Sequence, residues 1–98
     1  MKKEKYLIAI KRPHNRTLKQ YAQYVEGYIF ELEGVKFGVC NSGSEWCLSD
    51  ITTGLLLTRR KTRKDCINFA KANLSRMKLL LEKNEFFVID LPLYSEDK

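Results

Sequence analysis

The sequence predicts an α+β fold: an antiparallel β-meander of four to six strands packed against one long α-helix. Three observations lead there. Between residues 28 and 57, apolar side chains alternate with polar or small ones in short runs separated by glycine-bearing turns, the period-2 pattern of half-buried strands. From Thr62 onward the apolar spacing changes to three and four, which is the helical period. The length of 98 residues, 44% hydrophobic and 31% charged, suits one domain with a modest core. It excludes a multidomain enzyme and disfavours a deep, enclosed active site.

In chain order, residues 1–13 hold an N-terminal strand, Tyr6-Leu7-Ile8-Ala9-Ile10, ended by Pro13 and the turn-forming His14-Asn15. Thr17 to Val25 fits two states. Thr17 can cap a helix carrying Leu18, Tyr21 and Val25, whereas Tyr21, Tyr24 and Gly27 equally permit an extended chain. The meander spans 28–58. Tyr28, Phe30 and Leu32 form one strand, Gly34 the turn, and Val35, Phe37 and Val39 the return strand. After Asn41-Ser42-Gly43-Ser44 come Trp46, Leu48 and Ile51, then the Asp50–Gly54 turn and Leu55-Leu56-Leu57. A helix is predicted over 62–84, opened by a Thr62/Asp65 capping box, with Ile67, Ala70, Leu74, Met77 and Leu81 as its apolar stripe and Asn84 as its stop. Residues 85–93 read as a C-terminal strand confined to an edge by Pro92, and 94–98 as a polar tail. Trp46, Phe30, Phe37, Leu48, Leu74 and Met77 are the expected core.

The net charge of +6 is unevenly spread: +6 over residues 1–20, −4 over 21–58, +7 over 59–78 and −3 over 79–98. Two basic blocks therefore flank an acidic sheet, a layout that favours a polyanionic partner or an acidic protein face. The more compact block is Arg59, Arg60, Lys61, Arg63 and Lys64, placed at the predicted helix start, where free N–H groups and the helix dipole add to the positive field. Lys71 and Lys78 continue from Lys64 at seven-residue spacing as a ridge along the helix. Phe69, Ala72, Arg76, Leu79 and Leu80 lie away from the apolar stripe. Either Phe86–Leu91 covers them, or Phe69, Leu79 and Leu80 form an oligomer or partner surface.

Classical chemistries find little support. His14, the single histidine, stands in a polar basic stretch with no nucleophile at motif spacing. Cys40, Cys47 and Cys66 include no C-x-x-C pair, so a zinc centre is not expected, and Cys40 and Cys47 read as half-buried residues flanking a hairpin loop rather than a redox pair. There is no P-loop, GxGxxG or HExxH. No catalytic residue, metal or cofactor is expected. The basic start followed by only five apolar residues is not a signal peptide, and no apolar run approaches the roughly 20 residues of a membrane span, so no membrane partner and a cytoplasmic location are expected.

Two resemblances bear on function. The run Trp46-Cys47-Leu48-Ser49-Asp50-Ile51-Thr52-Thr53-Gly54-Leu55, followed by Thr62-Arg63-Lys64-Asp65-Cys66, resembles a strand–turn–strand–helix pattern of small phage and mobile-element accessory proteins. It covers roughly residues 28–75. It implies a non-catalytic factor that binds and occludes a host protein or nucleoprotein, such as an anti-CRISPR inhibitor of a defence nuclease, acting in the host cytoplasm. Its surface would combine the basic cluster with Tyr21 and Tyr24. The three strands and helix start are also similar to double-stranded RNA-binding domains, whose last helix sets lysines on phosphates. That likeness implies a module binding DNA or RNA directly through residues 59–64. Tyr6–Ile10 and Phe86–Leu91 are extra to that pattern, and its short Gly-rich approach to the helix is absent.

Overall fold

The computed structural model describes residues 2–94. It is an α+β fold built on a five-stranded antiparallel sheet in the order β1-β2-β3-β4-β5, with two helices. The strands are β1 (Glu4–His14), β2 (Thr17–Leu32), β3 (Val35–Asn41), β4 (Trp46–Asp50) and β5 (Leu56–Arg60). Helices α1 (Arg63–Ala72) and α2 (Leu74–Glu82) follow, then one 3-10 turn at Val88–Asp90. The predicted tail beyond Tyr94 lies outside the described residues.

The two-way reading of residues 17–25 resolves to strand. They form the first half of β2, 16 residues long, paired with β1 from His14↔Thr17 to Glu4↔Gly27. Thr, Tyr and Val suit an extended chain, and Asn15 takes the left-handed φ of 56° that the tight turn requires. The order of elements in a double-stranded RNA-binding domain, which needs a helix here, is therefore not reproduced. β1 also runs through Pro13 to His14, because an outermost strand tolerates a missing N–H.

β2 serves two ladders. Beyond Gly27 it leaves β1 and pairs with β3 from Tyr28↔Val39 to Leu32↔Val35. Glu33 and Gly34, with φ of 48° and 85°, form the intervening two-residue turn. A side chain at Gly27 would put its Cβ 2.3 Å from the Val39 carbonyl oxygen, so the crossing point admits only glycine.

The sheet buries both faces. On one, Val35, Phe37, Val39 and Leu48 meet Cys66, Ala70 and Leu74, with Phe30, Trp46 and Met77 half-buried at the margin. All six predicted core residues thus belong to this cluster, three of them at its rim. On the other face the β1–β2 ribbon folds back over the meander. Tyr6 lies against Gly38, where a Cβ would fall 2.5 Å from its ring, and the Ala9 N–H donates to the Gly54 carbonyl at 2.9 Å.

Two predicted elements need correction. The single helix over 62–84 is two, because Asn73 interrupts it: its backbone N–H and its Nδ2 both donate to the Phe69 carbonyl, at 3.1 and 2.9 Å. An amide side chain that bonds the preceding turn competes with helix continuation. The strand over 85–93 is replaced by the turn at Val88–Asp90 and a single parallel bridge, Ala22↔Leu93. Asn84, bonded to both the N–H and the carbonyl of Phe86, turns the chain there, and Val88 is the one residue of the segment that is buried.

Candidate functional site

The 59–64 cluster is divided between the two faces of β5 and the start of α1. β5 extends to Arg60, so Arg59 and Arg60 are strand residues on opposite faces rather than part of a turn. Arg60 lies over the Phe69 ring at 5.2 Å, and Arg63 over Tyr28 at 4.7 Å and Trp46 at 5.9 Å. These guanidiniums cover the aromatic margin of the core. Lys61 and Lys64 are exposed. At the start of α1 the Thr62 hydroxyl accepts from the Asp65 N–H at 3.1 Å, as its capping position predicts.

The predicted lysine ridge is broken at Asn73. Lys71 stays exposed on α1, whereas Lys78 sits on α2 and pairs with Glu33 of the β2–β3 turn at 3.0 Å. Tyr21 and Tyr24 also part company, an odd spacing on a strand placing them on opposite faces. Tyr24 is exposed, and Tyr21 packs edge-on against Tyr94 at 5.5 Å. Of the second helical face, Phe69 is half-buried beneath Arg60, and the C-terminal segment leaves Leu79 and Leu80 about 62% and 61% exposed.

What the fold brings together is different. Between the ribbon and the meander lies a cleft of about 550 Å³. Its apolar wall is Ile8, Ile10, Val25 and Leu56; Arg12, on the face of β1 that Ile8 and Ile10 share, and Lys11, on the alternate face, both line it, as does Arg59 of β5. The two basic blocks, far apart in sequence, therefore meet here. Glu26 is the only carboxylate among the lining residues. Arg12 is held by stacking over Tyr94 at 5.2 Å. The +6 charge of residues 1–20 was the signal for Lys11 and Arg12, but choosing them from that block required knowing that β2 is a strand.

Cys40 and Cys47 are register partners and line the same cleft as free thiols. Burial pushes the Cys40 thiol up, and burial does the same to Cys66, whose Sγ donates to the Trp46 carbonyl at 3.5 Å. Thiols held protonated are poor nucleophiles. Behind the cleft Tyr6 is 4% exposed and its hydroxyl has no hydrogen-bond partner. The Cys40 thiol lies beside it without completing a bond. Burial, more than the neighbouring thiols, pushes this phenol far above its ordinary range. Among the described residues no three His, Cys, Asp or Glu side chains group as a metal site, and His14 stands exposed near the ribbon tip. No helix of the described residues is long and apolar enough to cross a membrane.

Comparison with known proteins gives no match to a family model, to a curated protein sequence or to a solved structure.

Proposed function

We propose that this chain is a small, non-catalytic accessory protein of the phage or mobile-element type, which binds and occludes a host protein or nucleoprotein in the cytoplasm, as an anti-CRISPR inhibitor does. The observation that carries the reading is the convergence of Lys11, Arg12 and Arg59 on one cleft. Three cations with one carboxylate beside an apolar wall suit a polyanionic or acidic partner surface, and fixed complementary charge governs both choice of partner and rate of encounter. Leu79 and Leu80 offer a separate apolar contact, for the same partner or for a second copy of the chain.

A second reading, direct binding of DNA or RNA, is favoured by Lys61 and Lys64, which remain exposed, and by Arg59 joining the β1 cations. Capture from host lysate, with and without nuclease, separates the two. A protein retained after nuclease by the wild type and lost by the K11E/R12E/R59E variant supports occlusion. A partner lost on nuclease treatment supports nucleic acid. Retention indifferent to the charge reversal overturns the role of the cleft.

A further inference from the structure

The cleft also carries two thiols that recognition of a partner does not use. Cys40 pairs with Cys47 across β3 and β4, and Cys47 pairs with Arg59 across β4 and β5. Residues paired in this way share a face of the sheet. The two thiols and the guanidinium therefore stand in one row, Cys47 in the middle, and all three line the cleft. Cys66 belongs to the opposite, helix-covered face and is 0% exposed, whereas Cys40 and Cys47 are half-buried. The Ser42 N–H donates to the Glu45 carbonyl and the Ile51 N–H to the Lys36 carbonyl. By the alternation of an antiparallel ladder, Cys40↔Cys47 is then a hydrogen-bonded pair, with Cα atoms about 5.5 Å apart. Disulfides commonly span that separation, but their Cβ atoms stand at about 3.8 Å, about 1–2 Å closer than in such a pair. A bond made here needs a small shift of the strands and carries strain, which is the character of a disulfide that is readily reduced again.

We propose that Cys40 and Cys47 form a reversible disulfide by exchange with a small anionic disulfide of the glutathione type. This makes the cleft a modification site, a property beyond the occlusion of a partner. Arg59, with Lys11 and Arg12 in the same cleft, attracts the carboxylates of the incoming molecule. Cys47 is the attacking thiol, since it stands beside Arg59, while Cys40 lies back against Tyr6 and is held protonated by burial. The Cys47 thiolate attacks one sulfur of oxidised glutathione, the S–S bond breaks, and one glutathione leaves and takes up the proton that Cys47 lost. Cys40 then gives up its proton and attacks the Cys47 sulfur, expelling the second glutathione, which takes that proton. Two protein thiols are oxidised and one disulfide is reduced to two thiols.

The test treats the reduced full chain with oxidised glutathione, stops the reaction by alkylation and reads the mass. Expected is the loss of two hydrogens, with the fragments on either side of a cut after Glu45 joined until reduction. Cys66 should be alkylated only after denaturation. C40S should stop at a glutathione adduct on Cys47, and C47S should form neither bridge nor adduct at a comparable rate. Cystamine, a cationic disulfide, should bridge the wild type roughly 10-fold more slowly at low salt, each rate taken relative to the urea-unfolded chain. R59E, shown folded by circular dichroism, should reduce that preference. A wild-type chain that keeps both thiols free, or that holds glutathione on Cys47 without bridging, overturns the proposal. An adduct on Cys40 in C47S as fast as that on Cys47 in C40S overturns the order of attack. Equal relative rates for the two disulfides, unmoved by R59E, overturn the role of the cations and leave the pairing. Partner capture by the charge-reversed chain is read separately, so the occlusion reading and the disulfide can fail independently.

Discussion

Replacing Tyr6 by Phe should make the protein more stable, and increasingly so in alkali. The side chain is 4% exposed, its ring lies on Gly38, and its hydroxyl has no partner. A buried hydroxyl without a hydrogen bond costs about 1–3 kcal/mol, part of which returns as a small void when the oxygen is removed. A net gain of about 1 kcal/mol at pH 7 is expected, or roughly 4–8 °C in melting temperature for a domain of this size. The pH dependence gives a second readout. The phenol is raised above its ordinary 10.0 by burial, so the unfolded chain ionises there while the folded chain does not. Stability contributed by the protonated folded form is complete below pH 10 and falls as pH rises above it. At pH 11 the wild type should lose a further ~1.4 kcal/mol that Tyr6→Phe does not. Cys66 shifts alike in both proteins and cancels from the difference; Cys40, whose thiol the Tyr6 hydroxyl influences, is removed from it by carrying both proteins in a Cys40→Ala background. Urea unfolding at pH 7, 9, 10 and 11 measures both quantities. A variant less stable by more than about 1 kcal/mol at pH 7 would mean that the hydroxyl is bonded. Parallel stability curves from pH 9 to 11 would mean that the phenol is not buried.

Gly38→Ala brings a Cβ to within 2.5 Å of the same ring and should destabilise by about 1–3 kcal/mol in urea titration. A neutral result would place the ribbon elsewhere than over β3. Asp50→Ala removes a carboxylate, 1% exposed, that accepts from the Thr52 and Thr53 N–H groups and the Thr53 hydroxyl. A loss of about 2–4 kcal/mol is expected, since these donors are left without a partner; a loss below about 0.5 kcal/mol would show that the turn does not depend on it. Cys66 is 0% exposed with a thiol raised by burial, so its labelling by a disulfide reagent should follow global unfolding. Labelling at the rate of Cys47 would refute its burial between α1 and β4.

The meander was legible in the sequence because its signals are local. Tyr28, Phe30 and Leu32, then Val35, Phe37 and Val39, alternate along a strand, and Gly34 punctuates them. The helix start was legible for the same reason, through Thr62 and Asp65. What was not legible depends on contacts between distant residues. Leu18, Tyr21 and Val25 carry a weak helical spacing that loses to eleven register pairs with β1. Asn73 reads as an ordinary helical position until its amide is seen on the Phe69 carbonyl. Phe86–Leu91 has strand-forming composition, yet the C-terminal segment meets the sheet through a single bridge, Ala22↔Leu93. The candidate site suffered most: a run of cations at 59–64 looks like one patch in sequence, and the alternation of β5 divides it.

The cleft follows from the length of β2 and the absence of a side chain at Gly27. Because β2 passes from the β1 ladder to the β3 ladder at that residue, the ribbon turns back over the meander instead of extending its plane, and residues 11 and 12 arrive beside residue 59. Like charges gathered in this way repel, so the arrangement works against the compact state. Lys78 shows the alternative, a lysine neutralised by Glu33 on the surface. No such partner attends Lys11, Arg12 or Arg59 among the described residues, whose single ion pair is that one. A ligand phosphate in the cleft would relieve the repulsion, and binding of that kind stabilises the folded state by mass action. The unpaired cations that the fold gathers at this cleft are the feature on which the proposed anionic or acidic partner rests.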